Sequence, residues 1–364
     1  MEAARVTSES RTILPEHNLD VLRSLAVLFV LVDHTAGLFG SFVFTQWMGH
    51  AGVQAFFVHT ALVLMASMER DDAPSRRHWV TRFYIRRAWR IYPLAWAVIL
   101  VVYALRIPPA SVASHYRTIS LPTLAANLAL VQNLLGKSNV LAPLWTLPLE
   151  LQMYIALPIC YLVARNRPSW PMAVLLALGI TGAAVWTPFQ TARLLWRLRV
   201  LEFVPCFLMG VLAYWMLRRS RNPARTLPSW IWLPIIFVDL AFMGAVYIMF
   251  KRQEWMVRIA FCGVLGVSIP VVRDAARSAY TRVAHTIATY SYGIYLIHLL
   301  ALRLGFMVLK DQPLVIQAII SIVVLVAACY AGYHLIEKPG IALGQRFIGG
   351  GGNAKSLEAT APAP

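Results

Sequence analysis

The chain has 364 residues, 59% of them hydrophobic and only 13% charged, a balance that argues against a soluble protein and for a polytopic membrane protein. Its formal net charge of +17 would suggest a nucleic-acid ligand if the chain were soluble. Here the basic residues cluster in short segments between apolar runs, where they set membrane topology, and no basic nucleic-acid-binding module accompanies them. Cys160, Cys206, Cys262 and Cys329 all fall inside apolar runs without metal-ligand spacing, so they read as packing residues and no metal site is expected.

In chain order, the first 17 residues are polar and carry Arg5 and Arg11 with no apolar core or small-residue cleavage site; a cytoplasmic segment without a cleavable signal peptide is expected. Apolar runs follow at about 21–43, 51–68, 91–106, 121–136, 144–164, 171–188, 199–217, 230–250, 256–272, 288–309 and 314–335. Each approaches the ~20 residues that a spanning helix needs. If all of them crossed from a cytoplasmic N-terminus, the basic loop Arg218 to Arg225 would lie outside, against the positive-inside tendency. One run should therefore not cross. The best candidate is 121–136, "LPTLAANLALVQNLLG", which is short, begins beside Pro122 and carries Asn127, Gln132 and Asn133. The expected architecture is thus an all-α membrane bundle of about ten transmembrane helices plus one re-entrant segment, spanning 18–347, with both termini cytoplasmic. The Gly/Ala/Pro-rich stretch 348–364 is expected to be a disordered tail with no soluble domain after it.

Polar residues inside the spans carry the functional signal, because an ionisable side chain at mid-bilayer costs roughly 2.5–3.5 kcal/mol on insertion scales. In "NLDVLRSLAVLFVLVDHT" the eleven-residue step from Arg23 to His34 puts both on nearly one helix face, ~16 Å apart along the axis. That face carries a cation near the cytoplasmic edge and an imidazole near mid-membrane, with Asp20 placed to pair with Arg23. Read without function, Arg23 snorkels and His34 makes one interhelical hydrogen bond. His59, Glu150 and His298 also fall at intramembrane depth, and together they point to a polar cavity in which Asp33 or Glu150 orients a histidine base. The stretch "RFYIRRAWRIYP" places Arg82, Arg86 and Arg90 on one helix stripe with Arg87 beside it. Such a stripe anchors to anionic lipid headgroups or clamps phosphates. "LWTLPLELQMYIALPI" brings Trp145, Glu150, Gln152 and Tyr154 to the mouth of a span; lone aromatics there belong to the interfacial belt, but the carboxylate needs a partner. "ATYSYGIYLIHLL" runs three tyrosines into His298.

Together these stretches resemble acyltransferase family 3, integral membrane acyltransferases that include bacterial O-antigen acetylases. "LDVLRSLAVLFVLVDH" is similar to the opening signature at Arg23 and His34, "RRAWRIYP" to the Arg-rich segment at Arg87, Arg90 and Pro93, and "LWTLPLELQMY" to the segment matched at Trp145, Leu147, Glu150 and Tyr154. "YSYGIYLIH" and "EKP", Glu337 to Pro339, resemble the closing signatures, so the likeness runs from about 18 to 347. The chain departs from the pattern at Gln54, at His59-Thr60-Ala61 and at Thr146 and Met153, positions that bear on the acceptor or acyl pocket. The fused extracytoplasmic hydrolase-like domain of some relatives is not expected in this chain.

The resemblance implies transfer of an acyl group, most often acetyl, from cytoplasmic acyl-coenzyme A, a co-substrate and not a resident cofactor, to a hydroxyl of a cell-surface carbohydrate or its lipid-linked precursor. Arg23, Arg86, Arg87 and Arg90 would then hold coenzyme A phosphates. His34 would act as general base or as a covalent acyl carrier, with Asp33 and Glu150 completing the catalytic group. Glu150 would orient His34 or the sugar, while His59, Trp145, Tyr154 and His298 would line the substrate path. The implied location is a bacterial inner membrane. Two rivals stand beside this reading. A proton-coupled secondary transporter also carries mid-membrane His and Glu, though the two halves show no internal repeat, and a non-catalytic scaffold predicts that His34 and Glu150 are dispensable.

Overall fold

The computed structural model describes residues 14–40, 42–71, 75–107, 119–165, 169–187, 195–219, 227–250 and 254–348. The expectations placed on residues 1–13, on 220–226 of the basic loop and on the tail from 349 lie outside the described residues. Among the described residues there are twelve α-helices: α1 (Glu16–Leu38), α2 (Phe42–Glu69), α3 (Arg76–Ala104), α4 (Leu121–Leu128), α5 (Thr146–Ala164), α6 (Trp170–Trp186), α7 (Val200–Arg219), α8 (Trp232–Met249), α9 (Glu254–Val271), α10 (Ala279–Arg303), α11 (Leu314–Ala331) and α12 (Lys338–Ile348). No β-strand occurs among the described residues.

Among the described residues seven helical stretches are long and apolar enough to cross a membrane, and α6 and residues Trp255–Val271 of α9 are shorter apolar helices. With α3, whose first half is basic and whose second half is apolar, they correspond one to one with the expected spans. The run at 121–136 does not cross. Only eight of its residues are helical, a rise of about 12 Å, and Leu130 and Gly136 then turn the chain at φ 54° and 63°. Ser120 caps α4 by accepting from the Thr123 N–H at 3.4 Å. At the other end, Trp96 Nε1 and Tyr92 Oη of α3 donate to the Leu128 and Ala129 carbonyls at 2.8 and 3.2 Å. Asn127 accepts from the Val140 N–H at 3.0 Å. Side chains thus satisfy backbone groups that a broken segment leaves open, the condition for its tolerance at membrane depth.

By internal packing the chain divides into two compact units. The first comprises Met1–Arg70, Leu130–Ser138 and Trp145–Tyr295; the second comprises Asp71–Ala129, Asn139–Leu144 and Leu296–Pro364.

In the first unit α2 and α7 are central, α2 packing on α1, α5, α7, α8 and α9, and α7 on α5, α6 and α9 as well. The close crossings depend on glycine: a Cβ at Gly52 would stand 2.4 Å from the Ala26 carbonyl oxygen, one at Gly210 2.2 Å from that of Val58, and one at Gly266 2.7 Å from that of Met209. Between helices with no hydrophobic drive to associate in lipid, such close backbone approach supplies the packing energy. Phe57 of α2 stacks on Phe207 and meets Phe203 edge-on, with ring centroids 4.6 and 5.4 Å apart. The start of α1 follows Pro15, which offers no side-chain cap, and Asp274 supplies one instead, accepting from the Asn18 N–H at 2.9 Å. Asn18 in turn donates to the Arg273 carbonyl and accepts from the Ala275 N–H.

In the second unit α12 packs along α3, where Trp89 stacks on Phe347 with centroids 5.5 Å apart. Two π-helical turns interrupt its α-helices: Leu304–Val308 closes α10, and Gly332–Glu337 joins α11 to α12. Wide turns of this kind re-aim side chains, and here the second carries Glu337.

Candidate active site

The first unit holds Arg23, Asp33, His34, His59, Trp145, Glu150 and Tyr154, and the second holds Arg86, Arg87, Arg90 and His298. In the first unit, Arg23 Nε donates to Ser291 Oγ of α10 at 2.7 Å. Asp20, the expected partner of Arg23, has another hydrogen-bond partner: it accepts from His285 Nδ1 at 2.7 Å. The strongest charge acting on Arg23 is that of Glu150 on α5, ahead of Asp20 and Tyr154. Tyr154, one turn after Glu150, donates to its carboxylate. His59 of α2 is buried within the field of Arg23. Tyr295 shares a 2.8 Å hydrogen bond with Thr146 and feels Glu150. Four helices thus converge on one polar layer: Arg23, His59, Thr146, Glu150, Tyr154, Ser291 and Tyr295.

His34 lies further along α1, one turn from its end at Leu38, and not at the middle of the span as expected. The helix runs from Glu16 and stops at Leu38, with Gly40 at φ 73° beyond it, whereas the apolar run suggested 21–43. His34 Nδ1–H donates to the Val30 carbonyl at 2.9 Å. Because a carbonyl accepts only, this bond fixes the neutral tautomer and makes Nε2 the nitrogen that carries the lone pair. Asp33 turns its buried carboxylate toward α2, where a Cβ on Gly49 would stand 2.1 Å from its Oδ2.

Around His50 the structure reveals residues not singled out above. His50 of α2 lies within the field of Arg258, Arg199 and His34. Glu202 of α7 pairs with Arg258 of α9 and, at 3.4 Å, with Arg199. The Arg199 guanidinium lies 4.4 Å over the Trp145 ring. The signal was available: Glu202 and Arg258 are charges set inside apolar runs, the same feature that drew attention to Glu150.

In the second unit the basic stripe of α3 is built around carboxylates. Arg82 and Arg86 converge on Asp71, and Arg90 pairs with Glu337. Two signatures 247 residues apart, "RRAWRIYP" and "EKP", therefore meet in one buried ion pair. His298 is 1% exposed within α10. Among the described residues no group of three or more His, Cys, Asp or Glu is arranged to hold a metal.

The sequence profile of the acyltransferase domain of acyltransferase family 3 matches residues 16–334. The chain belongs to this family. It is 25% identical over 300 residues to the acyltransferase MdmB of Streptomyces mycarofaciens, covering 71% of this chain and 69% of that one. It is 23% identical over 363 residues to the peptidoglycan O-acetyltransferase OatA of Listeria monocytogenes, covering 92% of this chain and 57% of that longer protein. No solved structure matches the chain. Family membership and the helical bundle make the protein a multi-pass membrane acyltransferase.

Proposed function

We propose that the protein is an O-acyltransferase that moves an acyl group, acetyl foremost, from cytoplasmic acyl-coenzyme A to a hydroxyl of a cell-surface carbohydrate or lipid-linked glycan in a bacterial inner membrane, with both termini cytoplasmic. The observation that carries the reading is the fixed tautomer of His34, whose Nδ1–H is committed to the Val30 carbonyl. Nε2 is thereby the basic nitrogen. It takes the proton of the acceptor hydroxyl as that oxygen attacks the thioester carbonyl; the C–S bond breaks and the proton passes to the departing coenzyme A thiolate. In the covalent variant Nε2 itself attacks the thioester carbonyl and expels the coenzyme A thiolate; in a second step the acceptor oxygen takes the acyl group as the acyl–Nε2 bond breaks, and its proton passes to the freed Nε2.

Glu150, held by Tyr154 and facing Arg23, serves as the anionic centre of the polar layer, and Asp33 fixes α1 against α2 beside His34. His59, Trp145 and Tyr154 of the first unit are assigned to the substrate, as is His298 in the second unit. Arg23, Arg86, Arg87 and Arg90 are assigned to the coenzyme A phosphates. The Asp71 and Glu337 pairs hold two of these guanidinium groups in place, and each group carries five N–H donors. The names of the two relatives, one an acyltransferase and one an O-acetyltransferase of peptidoglycan, support the O-acyl reading and a glycan acceptor.

The test is turnover of labelled acetyl-coenzyme A by purified protein supplied with candidate glycans. His34-dependent release of coenzyme A with label on the glycan supports the reading. Folded protein that turns over no acyl donor with any glycan acceptor overturns it.

A further inference from the structure

We infer that His50 of α2 is a second catalytic histidine, a hydrogen-bond donor to the thioester carbonyl oxygen as that oxygen gains negative charge during transfer. The inference rests on the acyl-transfer reading for the identity of that oxygen. Its footing is the α1–α2 pair, which lies wholly in the first unit. Gly49 faces Asp33, where a Cβ would stand 2.1 Å from Oδ2, and Gly52 faces Val30, where a Cβ would stand 2.9 Å from Cγ2. Residues 33 and 49, then 30 and 52, are thus opposite each other on antiparallel helices. In such a pair the residue after each facing position projects to the same side, so His34 and His50 flank the meeting of Asp33 with Gly49 side by side. The charge of His34 is felt at His50, as that placement requires. Both residues are only half-buried, so each imidazole keeps part of its surface open to an incoming group.

Two observations give His50 a role different from that of His34. The Nδ1–H of His34 is committed to the Val30 carbonyl, whereas His50 makes no hydrogen bond among the described residues, so its ring N–H stays available to a substrate. The strongest charges acting on His50 are those of Arg258 and Arg199, and Arg258 borders the same water-sized cavity as His50. Glu202 holds both guanidinium groups in place, yet the charges that act on His50 are positive ones. A positive field favours negative charge developing on a substrate oxygen, the change that a thioester carbonyl undergoes when the acceptor attacks it. As the acceptor oxygen bonds to the carbonyl carbon, the carbonyl π pair moves onto its oxygen, and the His50 N–H holds that oxyanion. The pair returns as the C–S bond breaks. His50 neither gains nor loses a proton, and the proton traffic stays with His34.

Transfer kinetics and infrared spectra of bound acetyl-coenzyme A, with and without an isotopic label on the acetyl carbonyl, test this on the detergent-purified full chain. His50→Ala is expected to lower kcat about 10²–10³-fold with little change in KM, because an oxyanion donor acts on the transition state. His50→Gln, whose amide N–H can reach the same oxygen, should recover at least about ten-fold of that loss. The labelled carbonyl stretch should lie at lower frequency in the wild type than in His50→Ala, and His34→Ala should leave the lowered band in place. A purely structural His50 would lower the melting temperature without moving the band. Where His50→Ala fails to fold, His50→Leu, which fills more of the space, takes its place in both measurements. Wild-type kcat in His50→Ala overturns the proposal, as does a raised KM at constant kcat or a carbonyl band unmoved by the substitution. His50→Gln as slow as His50→Ala would assign proton transfer to the imidazole and overturns it too. Full transfer by His34→Ala beside a band that depends on His50 would sink the base assignment and leave the oxyanion donor standing.

Discussion

The Arg90–Glu337 pair shows how a buried charge constrains the residues around it. Glu337 is 2% exposed, so removing its partner strands an anion where water does not reach. Arg90→Gln is therefore expected to destabilise the protein by about 3–5 kcal/mol, and Arg90→Met with Glu337→Leu to recover most of that loss. Thermal unfolding in detergent measures both; equal melting temperatures for the single variant and the wild type would refute the structural role. Tyr154→Phe keeps the ring and deletes only the hydroxyl that donates to Glu150. Its expected effect is a modest fall in acyl transfer with little change in melting temperature, because a hydrogen bond to a charged group contributes about 1.5–3 kcal/mol. A variant of full activity would show that the carboxylate needs no orienting partner. Part of the geometry was legible in the sequence: the eleven-residue step put Arg23 and His34 on one face because α1 is unbroken between them. Pairings between distant segments were not legible. Helical periodicity names the faces of one helix and says nothing of which other helix meets them, so Asp20 with His285, Arg90 with Glu337, and Glu202 with Arg258 needed the fold.

At the scale of the helix, glycines decide how closely the bundle closes. Gly52 and Gly263 both lie inside helices, but a Cβ at Gly52 collides with the Ala26 carbonyl at 2.4 Å, whereas at Gly263 nothing stands within 4 Å. Gly52→Ala should force α1 and α2 apart and lower the melting temperature by several degrees. Gly263→Ala should leave it unchanged or raise it, since alanine favours a helix interior by about 0.5–1 kcal/mol over glycine. Reversal of that order would mean that the α1–α2 crossing does not depend on backbone approach. The same scale explains what periodicity missed at the ends of α1 and in the run at 121–136. Gly40 at positive φ lies beyond the end of α1 inside a continuous apolar run, and only the four-residue offset between Leu38 and His34 shows how near the helix end the imidazole sits. Hydropathy registers apolar content and is insensitive to such turns. The failure of 121–136 to cross was readable because Pro122, Asn127, Gln132 and Asn133 interrupt it, and the structure supplies the side chains that satisfy its backbone.

Among the described residues ten helical stretches correspond to the expected spans and the short α4 does not cross, so the basic end of α7 at Arg218 and Arg219 should face the cytoplasm. A reporter fused after Arg219 is expected to be active only if it reports a cytoplasmic location, and an extracytoplasmic readout would require a different span count. The proposed acyl transfer rests on the imidazole near the C-terminal end of α1. The most direct measurement is transfer from labelled acetyl-coenzyme A by reconstituted protein, comparing wild type with His34→Ala and following free coenzyme A and label on added glycan. The account predicts a loss of roughly 10²–10⁴ in rate in a variant that still inserts and folds. Wild-type turnover by His34→Ala, with donor limiting, would contradict it.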